Sequence, residues 1–88
     1  MRVTVQLFAR LREIAGTSEW PCEVAAGASV ADVWRAVSAA HPGLSEFGAA
    51  VSAALNEDFA PMSAAVSDGD AVAFLPPVSG GAGRDVES

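Results

Sequence analysis

The stretch "AAGASVADVWRAVSAAHPG", residues 25–43, carries the clearest helical pattern in the chain and limits the folds open to it. Ser29 is a good N-cap, and Asp32 stands three residues later, a weaker form of the capping box. Val30, Val33, Trp34 and Val37 recur at helical spacing and form one apolar face. Asp32, Arg35 and Ser38 face away, and Pro42-Gly43 ends the helix. The spacing predicts one long helix from about Val30 to Ala40, with Trp34 as a core residue. A single amphipathic helix must bury its stripe against something else, and the rest of the sequence reads mainly as strands.

"RVTVQLF" alternates, with Val3, Val5 and Leu7 on one side and Thr4, Gln6 and Phe8 on the other. Phe8 is an aromatic on the otherwise polar side. "ARLREIAG" is a short helical turn stopped by Gly16. "SEWPCEV" alternates again through Trp20, Cys22 and Val24. Pro21 cannot donate to a ladder, which puts this strand at a sheet edge, paired with the first. "AAVSAALNEDF" is expected to be a short strand running into a turn at Asn56-Glu57-Asp58, and "APMSAAV" a weak edge segment. "SDGD" is a turn in which Gly69 takes a positive φ. "AVAFL" is near-continuously apolar, as strands in the middle of a sheet are, and is expected beside the first strand. The order strand, strand, helix, strand, short strand, strand describes an α+β roll with one helix on one face of a mixed sheet.

Eighty-eight residues with 51% hydrophobic content make one domain with a real core. No apolar run reaches the ~20 residues of a membrane span, and Arg10, Arg12 and Glu13 interrupt any signal-peptide pattern. The expected address is therefore the cytoplasm. The formal net charge of −6 opposes binding to nucleic acid or anionic lipid and favours a basic partner. The five basic residues are all arginine, so no lysine amine could accept an isopeptide-type link. The lone Cys22 excludes an internal disulfide framework and a cysteine-rich metal site.

The usual carriers of chemistry are missing. His41 has no second histidine and no nearby nucleophile, and at a helix end it suits the dipole. Cys22 alternates inward, and Glu23 beside it disfavours a reactive thiolate. Asp68 and Asp70 flank a turn glycine. No P-loop, dinucleotide fingerprint, zinc spacing or nucleophile elbow is present. By elimination the chain has no self-contained active site, no metal site and no permanently bound cofactor.

What remains is "FLPPVSGGAGRDVES" from Phe74 onward. A bare Gly-Gly is weak evidence, since a stiff segment can run into an ordinary linker. Its neighbours sharpen it. "DGDAVAFLPPVSGG" resembles the C-terminal signature of the small subunits of molybdopterin synthase, the MoaD-type sulfur carriers. "VQLFARLREIAG" resembles the opening of the same family, and "AALNEDFAPMSAAVSDGD" its central asparagine and acidic turn. The resemblance spans residues 1–81 and implies a ubiquitin-like β-grasp domain with a C-terminal Gly-Gly tail. Residues 82–88 form an extension beyond it.

The resemblance implies a chemistry in which the carrier is not catalytic alone. An activating enzyme of the E1-like, MoeB type uses ATP and Mg to adenylate the terminal glycine carboxylate, matched here by Gly81 after Gly80. The adenylate becomes a thiocarboxylate. The large synthase subunit, of the MoaE type, takes in the tail, and the sulfur is transferred to build the dithiolene of the molybdenum cofactor. Phe8, Arg12, Phe59 and Leu75 match positions where the family's carriers meet the large subunit. Alternatively, Phe8 is covered by its own helical turn. Pro76, Pro77, Val78 and Ser79 lead the glycines into the partner. Glycine passes a narrow channel, and the prolines reduce the freedom lost on insertion. Two alternatives stand beside this reading. One is a carrier for another pathway (tRNA thiolation, thiamine or cysteine). The other is a non-carrying ubiquitin-like domain or modifier.

The sequence departs from the family at one place. Ala82 follows Gly81, so Gly81 is an amide and offers no carboxylate to adenylate. Four explanations fit: a protease trims the chain after Gly81, the tail begins a linker to a fused large subunit, the extension was added for expression, or this is a paralogue that does not carry sulfur.

Overall fold

The computed structural model describes residues 1–77, so the expectations for Val78, Ser79, Gly80, Gly81 and residues 82–88 lie outside the described residues. The elements are β1 (Arg2–Leu7), α1 (Ala9–Ala15), β2 (Glu19–Glu23), α2 (Val30–Ala40), a 3-10 segment (Pro42–Ala50), β3 (Ser52–Leu55), β4 (Asp58–Ala60) and β5 (Ala71–Leu75). The five strands form one mixed sheet in the order β2-β1-β5-β3-β4. β1 and β5 are parallel, and the other neighbours are antiparallel. This is the expected α+β roll, with the apolar β5 central beside β1 and the proline-bearing β2 at an edge.

The alternation read from the sequence decides which face is buried. Val3, Val5 and Leu7 of β1, Val72 and Phe74 of β5 and Ala53 of β3 point inward. Val30, Val33, Trp34 and Val37 of α2 meet them, and Leu11 of α1 and Leu44 of the 3-10 segment complete the core. The Trp34 and Phe74 rings pack with centroids 4.9 Å apart, and Trp34 Nε1 donates to the Gly48 carbonyl at 2.8 Å. Its polar edge is thus satisfied inside the core.

Asp32 completes a reciprocal capping box: its amide donates to Ser29 Oγ, and its carboxylate accepts from the Ser29 amide at 2.9 Å. The next orphan amides are satisfied from elsewhere. Val30 N–H donates to the Ala64 carbonyl and Ala31 N–H to the Met62 carbonyl, both at 2.9 Å. This corrects the reading of "APMSAAV" as an edge strand. Two of its carbonyls are committed to the start of α2, and only an isolated bridge between Ala65 and Ser29 remains of it. The short edge strand lies one turn earlier, at Asp58–Ala60.

Three further details differ from the sequence reading. The segment after α2 is a 3-10 stretch beginning at Pro42, with a kink at Gly48 (φ 52, ψ −129), and shows no clear period. α1 is a seven-residue helix closed by Gly16 at φ 76, longer than a single turn. Ser38 does not face solvent fully. Its Oγ is buried with no hydrogen-bond partner among the described residues, at a groove of about 330 Å³ that Trp34, Arg35, Ser45 and Met62 also line.

Candidate functional site

Among the described residues, one face of the sheet carries no helix. Strand register places Gln6, Ala73, Ala54 and Phe59 in one row across β1, β5, β3 and β4. These residues alternate with the core positions, so they point to the uncovered face. The row is three strand spacings wide, about 14 Å. Its middle is two alanines, and its far end is Phe59, which is 83% exposed. Leu75 lies on the same face, opposite Ser52, at the end of β5.

β1 stops at Leu7, so Phe8 is not part of the strand as its alternation suggested. It is the N-cap of α1, with extended backbone. It keeps the outward side and is 44% exposed, so α1 does not cover it. Ala9 then takes φ 52, a left-handed conformation that costs a residue with a side chain about 1–2 kcal/mol. This corner turns the chain into α1 and brings Arg12 beside Phe8. Gln6, Phe8, Arg12, Ser18 and Glu19 line a cleft of about 200 Å³ there. Among the described residues Arg2, Arg10 and Arg35 each hold a carboxylate, at 2.6, 3.2 and 2.7 Å. Arg12 holds none of these and is exposed beside the aromatic ring.

Phe8, Arg12 and Leu75 share the end of the sheet where β5 finishes, because β1 and β5 run parallel and Leu7 pairs with Phe74. Phe59 lies on the same face at the β4 edge. Pro76 is half-buried and Pro77 exposed. Two exposed aromatic side chains, an arginine with no carboxylate partner among the described residues and a strip of alanines are features that protein interfaces commonly use. The cleft partners Gln6, Ser18 and Glu19 were not singled out from the sequence. Gln6 could have been, since it alternates outward, whereas Ser18 and Glu19 join it only through the pairing of β2 with β1.

The residues set aside as chemical candidates have structural roles. Cys22 is buried, and burial together with the Glu23 charge pushes its thiol pKa up. His41 caps α2 and packs edge-on against Trp20, with ring centroids 5.6 Å apart. Its Nε2 is buried without a hydrogen-bond partner among the described residues. Asp68 accepts from the Arg2 amide at 2.8 Å. Asp70 accepts from the Ser67 amide at 2.7 Å and from Asn56 Nδ2 at 3.1 Å. No cluster of three or more metal-ligating side chains occurs among the described residues, and no described helix is long and apolar enough to cross a membrane.

Residues 5–81 match the ThiS family. The chain is 40% identical over 83 residues to a molybdopterin synthase sulfur carrier subunit of Chlamydomonas reinhardtii, covering 92% of this chain and all of that one. Its fold matches small archaeal modifier protein 1 of Haloferax volcanii with a TM-score of 0.81 at 32% identity, over 88% of this chain and 98% of that one. It also matches a chain in the complex of subunits 1 and 2 of the molybdopterin-converting factor of Helicobacter pylori (TM-score 0.63, 26% identity, 92% of this chain and 100% of that one). The ubiquitin-like β-grasp fold expected from the sequence is thus the observed one, and the chain belongs to the ThiS family, with molybdopterin synthase sulfur carrier subunits among its homologues.

Proposed function

We propose that this chain is the sulfur carrier subunit of a molybdopterin synthase, working through a thiocarboxylate at Gly81 for molybdenum cofactor biosynthesis. The observation that carries the reading is the match along the whole length of a curated carrier subunit. The structure supplies a matching frame, in which the Pro76-Pro77 lead leaves the central strand beside an uncovered apolar face. The chain's own residues do the binding and positioning. Phe59, Phe8 and Leu75 offer apolar anchors, Arg12 offers a guanidinium with no carboxylate partner among the described residues, and Pro76 and Pro77 limit the freedom of the chain leading to Gly81. The partner that fits is the large synthase subunit, and the two-subunit complex of the Helicobacter pylori relative supports it.

No side chain of the carrier is needed for the transfer. A carboxylate is a poor acylating group, so an activating enzyme must first convert it to an acyl-adenylate with ATP and Mg. Sulfur then replaces the adenylate on the carbonyl carbon. The test is to incubate residues 1–81, ending in a free carboxylate, with an activating enzyme of this class, ATP and a sulfur donor. The expected product carries one sulfur in place of one oxygen at Gly81 and supports dithiolene formation with the large subunit. Absence of adenylation would falsify the reading.

A second reading is a protein modifier, favoured by the likeness to small archaeal modifier protein 1. The activation step is then the same, but the acceptor is a lysine amine of another protein. The chain offers no lysine of its own. Isopeptide-linked adducts in cells, against thiocarboxylate consumed by the large subunit, separate the two.

A further inference from the structure

We infer that Ala9 is a positioning residue for partner docking: its left-handed backbone holds the Phe8 ring and the Arg12 guanidinium together as one preformed anchor. The inference rests on the docking proposed above and deepens it by naming what sets the geometry of the anchor.

Among the described residues, Ala9, Asn56 and Glu57 have positive φ without being glycine, at 52, 51 and 75. Asn56 and Glu57 form the two-residue turn between β3 and β4, where the twist of a tight hairpin requires positive φ at both positions. Ala9 belongs to no hairpin. It is exposed, so burial of its methyl group does not account for the conformation either. Backbone strain of this kind persists only where the surroundings over-determine it, and it collects at binding sites.

The surroundings here are two leucines. Leu7 ends β1 at 1% exposure, and Leu11 anchors α1 at 0%. Phe8, Ala9 and Arg10 must carry the chain from one buried leucine to the other. No side chain caps the start of α1, and the Leu11 amide donates across the corner to the Phe8 carbonyl at 3.1 Å. The corner sorts the side chains around it. Arg10 pairs with Glu13 at 3.2 Å. Arg12 instead lines the cleft with Gln6, Phe8, Ser18 and Glu19, and has no carboxylate partner among the described residues. Another φ at Ala9 would rotate Phe8 relative to α1 and part the ring from the guanidinium. Fixing both before contact removes the ordering cost that mobile side chains add to binding.

The experiment separates conformation from bulk. Asn and Val are of similar size, but Asn enters the left-handed region far more readily than β-branched Val. Ala9→Asn and Ala9→Val are made in the full chain, alone and together with Phe8→Ala and Arg12→Ala. Binding to the large synthase subunit is measured by titration calorimetry, at a temperature where thermal unfolding shows each variant folded. Ala9→Asn is expected to bind within about threefold of the unsubstituted chain, as an unstrained surface change does. Ala9→Val should bind at least about tenfold more weakly, as when an interface anchor is lost. With Phe8 and Arg12 both replaced by alanine, the Asn and Val variants should bind alike, because Ala9 acts through those two side chains. Equal weakening by Asn and Val alone assigns the loss to bulk and overturns the inference. Normal binding by Ala9→Val, with or without a lower melting temperature, also overturns it. So does a tenfold gap that survives the Phe8→Ala, Arg12→Ala background. A second measurement needs no variant to fold: nuclear Overhauser effects between the Phe8 ring and the Arg12 side chain are expected in the free chain, and their absence removes the preformed anchor. Failure of the unsubstituted chain to bind the large subunit removes the partner reading and this inference with it, whereas the other outcomes leave that reading standing.

Discussion

Asn56 and Asp70 tie the β3–β4 hairpin to the start of β5. Asn56 Nδ2 donates to Asp70 Oδ1 at 3.1 Å, while Asn56 Oδ1 accepts from the Ala71 amide at 2.9 Å and the Asn56 amide donates to the Ala71 carbonyl at 2.8 Å. The residue does this from a left-handed backbone, φ 51, which asparagine tolerates better than most. Asn56→Gly keeps the turn and loses only the side-chain clamp. A loss of about 1 kcal/mol is expected, the worth of an ordinary hydrogen bond or two. Asn56→Ala adds the backbone strain and should cost about 1–2 kcal/mol more. Urea unfolding of both variants checks this. Equal losses would mean that the turn's conformation contributes nothing.

Asp70 and Asp32 set the acid limb of stability. The Asn56 side chain and the Ser67 amide hold the Asp70 pKa below its ordinary value. The Ser29 amide and the Arg35 guanidinium do the same for Asp32. A carboxyl with a depressed folded pKa stabilises the fold above its unfolded pKa, about 3.9, and loses that contribution as pH falls through the folded value. The urea midpoint should therefore be flat in this respect down to about pH 5 and decline below about pH 4. Asp70→Asn, which keeps an acceptor for Ser67, should shallow that decline. An unchanged slope in this variant contradicts the assignment.

Trp34 serves both packing and a hydrogen bond. Trp34→Ala should destabilise the protein by about 3–5 kcal/mol through lost buried area and the cavity left against Phe74. Trp34→Phe keeps a ring but leaves the Gly48 carbonyl without its 2.8 Å donor. If both roles count, its cost in thermal or chemical unfolding lies between zero and that of the alanine variant. A loss below ~1 kcal/mol for Trp34→Ala would mean that the helix face is misassigned.

Phe59 separates binding from folding. At 83% exposure its removal should change stability by less than about 0.5 kcal/mol. Binding to the large subunit, measured by titration calorimetry with the 1–81 form, should weaken by about 2 kcal/mol or more if Phe59 is an anchor. Phe8→Ala is expected to act in the same direction. Normal binding by both variants removes the outer face as the docking surface.

Much of the fold was legible because most of its signals were local. The Val3, Val5, Leu7 alternation gave the buried face of β1, and the Val30, Val33, Trp34, Val37 spacing gave the helix stripe. Pro21 gave the edge and the apolar run Ala71–Leu75 gave the centre. The misses occurred where a distant partner or a single backbone corner decides the conformation. "APMSAAV" has strand-like composition, but the helix start takes its carbonyls. Phe8 continues an alternation, but Ala9 bends the chain beneath it. Part of the site was legible in the same way: Phe59 and Phe8 are exposed as read, whereas the Arg12 cleft is assembled by pairing two strands and has no local signature.

The parallel pairing of β1 with β5 has a mechanical consequence. A pull at the C-terminal end of β5 runs along a strand that is hydrogen-bonded on both sides, to β1 and to β3. Tension along the strand loads those ladders in shear, so many bonds share the force and must yield together. The same pull on an edge strand such as β4, paired on one side over three registered residues, has far fewer bonds to share it. Tension applied at the C-terminal end of β5 is therefore spread over two ladders, and the body of the domain resists it without shedding a strand.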